Sequence, residues 1–108
     1  IFLDSNVELM DGVKDVNVYN KIFEAVEKVP GASNPHRVRS RMIGNRYIIT
    51  LDIEVNPQIT ITQAHEIAGA VEKSIESSID NVYDILVHVE PAGECQTDEK
   101  FGVDKDMV

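Results

Sequence analysis

The sequence predicts a small α+β sandwich, a three-stranded mixed sheet with two helices on one face. Two stretches carry apolar residues at helical spacing, and three others alternate apolar and polar residues. Their order is helix, strand, strand, helix, strand, which places the last two strands on either side of a helical crossover. The length of 108 residues is about one domain. An apolar share of 43% supplies one core, so wholesale disorder is not expected. Ten Lys and Arg against nineteen Asp and Glu leave a formal charge of −9. That balance argues against nucleic acid and anionic lipid as partners and suits attraction of cations. No apolar run approaches the roughly 18 residues that span a bilayer.

The first element is a helix over about 17–28. Tyr19, Ile22, Phe23 and Val26 form one apolar stripe, with Asn17 as candidate N-cap. Pro30 and Gly31 end it. The next two elements form a hairpin around Gly44-Asn45. Val38, Ser40 and Met42 alternate with Arg37, Arg39 and Arg41 in its first strand. Tyr47, Ile49, Leu51, Ile53 and Val55 are the apolar set of its second. A two-residue turn pairs Ile43 with Arg46, Met42 with Tyr47, Val38 with Leu51 and Arg37 with Asp52. The two apolar sets then share one face. In that register His36 falls beside Ile53.

The second helix covers about 61–78. Thr60 and Gln63 have capping-box spacing, and Ala64, Ile67, Ala68, Val71, Ile75 and Ile79 make its buried stripe. The last strand runs over 81–90 and ends at Pro91. Tyr83, Ile85, Val87 and Val89 are its apolar face. Residues 1–15 show no clear period and read as a lead-in, with 16–91 as the domain. Residues 92–108 read as an acidic, flexible tail. The chain begins at Ile1 without a Met or a signal-peptide pattern, and is expected to be a piece of a longer polypeptide.

On this frame Asp52, His88 and Glu90 lie on the sheet face away from the helices, because residues two apart in a strand point the same way. If the second and third strands are parallel neighbours, these groups gather at one edge of the sheet. His36 and His65 lie near the same edge, one opening the first strand and the other in the first turns of the second helix. Imidazoles with carboxylates suit Zn²⁺ or another divalent first-row ion. A His-x-Glu pair at a strand edge is more often two solvated side chains, and Asp52 can equally pair with Arg37 across the hairpin. His65 can pack on the helix flank, and His36 can be a strand residue exposed beside Pro35.

Arg37, Arg39 and Arg41 make a basic stripe on the open face, suited to pairing with acidic groups. Cys95 is a lone thiol, so no intramolecular disulfide or paired-cysteine metal motif is available. The sequence has no glycine-rich phosphate loop, nucleophile elbow or His-Glu-x-x-His helix. An enzyme is therefore the weaker reading.

Several stretches together resemble a known family. Leu9-Met10-Asp11-Gly12-Val13 looks like a junction after a membrane helix. Pro30-Gly31-Ala32 is followed by His36-Arg37-Val38-Arg39-Ser40-Arg41 and Gly44. Ala64-His65 opens the second helix, and Val87-His88-Val89-Glu90-Pro91 closes the last strand. From about Leu9 to Pro91 the chain resembles the cytoplasmic C-terminal domain of cation diffusion facilitator transporters, membrane proteins that export Zn²⁺ and related divalent ions. The resemblance implies a ferredoxin-like, metallochaperone-like αββαβ fold and a homodimer on the cytoplasmic side of the membrane. It implies metal ligands at His36, Asp52, His65, His88 and Glu90, and a membrane domain elsewhere in the same polypeptide. Asp52 stands where a histidine can occur in the family, and Glu90 where an aspartate can. That harder donor set admits Mn²⁺, Fe²⁺ or Co²⁺ beside Zn²⁺. Asp11 matches the family's acidic residue at the membrane face.

The implied function is regulation of metal efflux by metal binding near the dimer interface. The competing expectations are a metal-independent dimerisation module, a stand-alone ferredoxin-like binding protein or a small acylphosphatase-like enzyme. A soluble metal-delivery protein would normally need paired cysteines.

Overall fold

The computed structural model describes residues 16–93. The expected lead-in, Asp11, Cys95 and nearly all of the expected tail lie outside these residues. Helix α1 spans Val16–Glu27, β1 Ser33–Ile43, β2 Arg46–Val55, α2 Ile61–Ser78 and β3 Val82–Pro91. The sheet order is β1-β2-β3, with β1 antiparallel and β3 parallel to β2. This is the expected ferredoxin-like αββαβ sandwich.

Apolar spacing decides which faces close. Ile22, Phe23, Ala25 and Val26 of α1 and Val71 and Ile75 of α2 are buried against Val38, Ile49, Leu51, Ile53 and Ile85 of the sheet. Each fully buried Ile or Leu contributes about 1.5–3 kcal/mol of transfer free energy. The hydroxyl of Ser74 donates to the Ala25 carbonyl at 2.8 Å and ties the helices together. Asn17 is not the N-cap of α1. The helix already includes Val16, so Asn17 lies inside its first turn. The cap of α2 is as expected. The backbone N–H of Gln63 donates to the Thr60 hydroxyl at 3.0 Å, and that of Thr60 to the Gln63 side chain at 2.9 Å.

The hairpin keeps the expected register only near its turn. Ile43 pairs with Arg46, Met42 with Tyr47 and Arg39 with Thr50, but His36 then pairs with Asp52 and Ser33 with Glu54. Two β-bulges cause the slip. Arg37 and Val38 together oppose Leu51, and Asn34 and Pro35 together oppose Ile53. The first residue of each bulge takes a left-handed backbone, φ +50° at Arg37 and +47° at Asn34. Glycine usually fills that place in bulges of this kind. The expected pairings of Arg37 with Asp52 and His36 with Ile53 are therefore replaced, and Val38 shares Leu51 with Arg37. Unbroken alternation would put His36 on Val38's face, inside the core. The extra residue moves it to the face of Asp52.

A third irregularity, between the Tyr47–Val82 and Ile48–Asp84 pairs, corrects the reading of Tyr83. Tyr83 is 59% exposed rather than part of the core face, and Val82 packs on the core instead. The guanidinium of Arg46 stands 6.0 Å from the Tyr83 ring centroid. Met42 is also exposed rather than buried in the core. No helix among the described residues is long and apolar enough to cross a membrane.

Candidate metal centre

The parallel pairing of β2 and β3 sets Asp52 beside His88 and Glu54 beside Glu90. All four belong to the face opposite the helices. The bulged β1 brings His36 to the same place. Beyond Pro91 the Ala92 N–H still donates to the Val55 carbonyl at 2.8 Å, which holds the strand end bearing Glu90.

His36, Asp52 and Glu90 each place one donor atom within 4.8 Å of the others. His36 Nε2 is 3.0 Å from Glu90 Oε1 and 3.8 Å from Asp52 Oδ2. Ligands held at about 2.0–2.2 Å from one ion stand roughly 3–4.4 Å apart, so these two separations already suit a shared cation. The three side chains are nearly buried, at 12%, 8% and 9% exposure. His88, at 64%, lies over them on the solvent side. Its Nδ1 is 3.5 Å from Asp52 Oδ1 and 3.6 Å from Glu90 Oε2. Each carboxylate thus turns one oxygen toward His36 and the other toward His88. His65 is exposed on α2 and is not part of this group within one chain.

Two residues tune the group. Asn34 was not singled out in the sequence, although an Asn beside a proline near a strand start signals a left-handed backbone position. Its carbonyl faces His36 Nδ1 at 2.7 Å, and its side-chain amide donates to Glu54 Oε2 at 2.8 Å. With Nδ1–H donating to that carbonyl, Nε2 is left to face the carboxylates. Arg37 is the second, its Nε 3.3 Å from Asp52 Oδ2. Burial alone would pull the pKa of His36 down. The Asn34 hydrogen bond, the charges of Glu90 and Asp52 and the bond to Glu90 outweigh it and raise the pKa.

The donor set fits a divalent ion. Asp52 Oδ2 is buried and accepts no hydrogen bond among the described residues. A buried carboxylate oxygen in that state is costly unless a cation stands beside it, and here Arg37 and His36 fill that place by charge alone. One nitrogen and two carboxylate oxygens are donors that first-row divalent ions accept.

Residues 11–92 match the family model described as the cytoplasmic domain of cation efflux proteins. The chain belongs to this family. Magnetosome protein MamM of Magnetospirillum gryphiswaldense is 34% identical over 83% of this chain and 28% of its own length. Manganese efflux system protein MneS of Bacillus subtilis is 32% identical over 84% of this chain and 31% of its own. The chain thus spans less than a third of these curated relatives. Among solved structures, the metal-bound C-terminal domain of the CzcD transporter from Thermotoga maritima is 36% identical, with a TM-score of 0.72. The alignment covers 77% of this chain and 96% of that one. A cadmium form of a MamM C-terminal domain carrying one Asp-to-Glu substitution is 34% identical, with a TM-score of 0.68 over 71% of this chain and 96% of that one. The matches agree with the fold and with its placement among efflux domains. The cation-efflux family is a family of transporters rather than enzymes.

Proposed function

We propose that this domain is the regulatory and dimerisation unit of a divalent-cation efflux transporter, and that metal bound at His36, Asp52, His88 and Glu90 controls transport. The observation that carries the reading is the nearly buried group of His36, Asp52 and Glu90, whose donor atoms converge within 4.8 Å. The metal-bound and cadmium forms of the similar domains support it. Residues 16–91 are the domain, 1–15 join it to a membrane part on whose cytoplasmic side it lies, and 92–108 are a tail. The ion is Zn²⁺ or a harder ion such as Mn²⁺, Fe²⁺ or Co²⁺. Two carboxylates against His36 and the outer His88 favour the harder end, and a relative named for manganese efflux agrees.

His65 joins as a ligand only from a second copy, since within one chain it stays outside the group. Ions shared between protomers would remove part of the repulsion between two chains of −9 each and draw them together. A bound ion shifts that equilibrium only by its differential affinity for the closed pair.

Calorimetric titration of the metal-stripped chain with Zn²⁺ and with Mn²⁺ tests the reading. Wild type should bind at micromolar strength, His88→Ala should bind more weakly, and His36→Ala should not bind. No heat above dilution in wild type would favour a metal-independent dimerisation module. One feature fits that second reading, because His36 and Arg37 already pair with the carboxylates in this structure.

A further inference from the structure

We infer that Arg37 is a built-in cation that occupies the metal centre in its metal-free state, so that an arriving divalent ion must displace it from Asp52. The inference rests on the metal reading above and concerns what limits binding there. Arg37 Nε lies 3.3 Å from Asp52 Oδ2, the same oxygen that faces His36 Nε2 at 3.8 Å. The guanidinium therefore claims the same carboxylate oxygen that a cation shared by His36 and Asp52 would use. Its charge is permanent, because arginine does not deprotonate in proteins.

The backbone is bent to put it there. His36 and Arg37 are consecutive, and neighbours in an unbroken strand point to opposite faces. Here both side chains reach Asp52. The bulge makes this possible, and its cost falls on Arg37 itself, which takes φ +50° without being a glycine. Left-handed non-glycine residues are strained and persist where the surroundings hold them. An exposed arginine of the basic stripe, such as Arg39 or Arg41, has no such backbone. The Arg37 side chain is 31% exposed against 8% for Asp52, so the pair is only partly screened by water.

The charge count gives the consequence. Asp52 and Glu90 bring two negative charges into a nearly buried space. Arg37 offsets one of them. A dication entering beside a fixed positive charge meets repulsion, or must move that charge into water first. Either way Arg37 weakens metal binding and sets the ion concentration at which the centre fills. It also steadies the metal-free form, in which Asp52 and Glu90 would otherwise have only His36 between them.

The test titrates Mn²⁺ and Zn²⁺ into metal-stripped wild type, Arg37→Gln and Arg37→Lys, and records thermal midpoints with and without Mn²⁺. Gln keeps an unbranched side chain and removes the charge, and Lys keeps the charge. Arg37→Gln should bind roughly tenfold or more tighter, as expected for loss of a unit charge a few ångström from a dication in a partly buried site. Its metal-free midpoint should fall while its Mn²⁺-loaded midpoint stays near wild type. Arg37→Lys should remain within a few-fold of wild type. Equal or weaker binding by Arg37→Gln, with wild type binding normally, would overturn the inference and leave the metal centre standing. No binding by wild type with binding by Arg37→Gln would support it strongly. If neither chain binds either ion, both the inference and the metal reading fail.

Discussion

His36 faces an acceptor at each ring nitrogen, the Asn34 carbonyl at Nδ1 and Glu90 Oε1 at Nε2. Without metal this arrangement favours the imidazolium, and the pKa lies above its ordinary 6.5 despite the cost of burial. A raised folded-state pKa means the folded protein holds the proton more tightly than the unfolded chain does. The His36 contribution to stability is then fully present below 6.5 and is lost as the pH rises through the folded value. Thermal melts of the metal-stripped protein should show it. The midpoint difference between wild type and His36→Ala should be larger near pH 5.5 than at about pH 8.5. An equal difference at both would mean the ring is neutral in the fold. The gathering of Asp52, His88 and Glu90 at one end of the sheet was legible from sequence because strand alternation and parallel pairing are regular rules. His36 was placed at the right end of the sheet but beside Ile53. Nothing in simple alternation supplies the extra residues at 34 and 37. Pro35, awkward inside a regular strand, was the available sign of a bulge.

At the scale of elements, local chemistry was the easier part to read. Helix α2 begins and ends where its cap and spacing place it, since the Thr60–Gln63 box depends on four residues only. Strand β1 and the start of β3 were misjudged, at Arg37 and at Tyr83, because bulges answer to the partner strand rather than to the segment itself. The turn between α1 and β1 shows the same dependence. Gly31 has φ +93°, and a β-carbon there would lie 2.9 Å from Ile67 Cδ1 on α2. The glycine is thus required twice, by the turn and by the approach of the second helix. Gly31→Ala should lower unfolding free energy by about 1–3 kcal/mol, measured by urea melts. Adding Ile67→Ala should recover less than the full loss, because it relieves the contact and not the backbone. The added variant has its own cavity cost, so the check is the coupling between the two sites in a double-mutant cycle. Strict additivity would mean the contact exerts no strain.

The whole molecule joins an acidic chain to a sheet with one face covered and one open. On the open face Leu86, two residues before His88 on the same strand, is 64% exposed. Apolar exposure of this kind draws a second copy, while the charge of −9 per chain pushes it away. Two different agents can relieve that opposition. Sodium chloride screens all the surface charges, and at physiological strength its reach is about 8 Å. A divalent ion in the cluster acts at one point, on carboxylates too buried for salt to screen well. If the cluster lies at the contact between copies, the two agents are not interchangeable. Light scattering at constant ionic strength should show the dimer fraction rising on addition of stoichiometric Mn²⁺ or Zn²⁺, beyond what sodium chloride alone produces. Asp52→Asn should abolish the metal response and keep the salt response, because it changes the centre and leaves most of the surface charge in place. A metal response equal to that of sodium chloride at matched ionic strength would place the cluster away from the contact. The open face would then carry the association through its apolar residues, and Leu86→Asp would be the substitution that separates the copies.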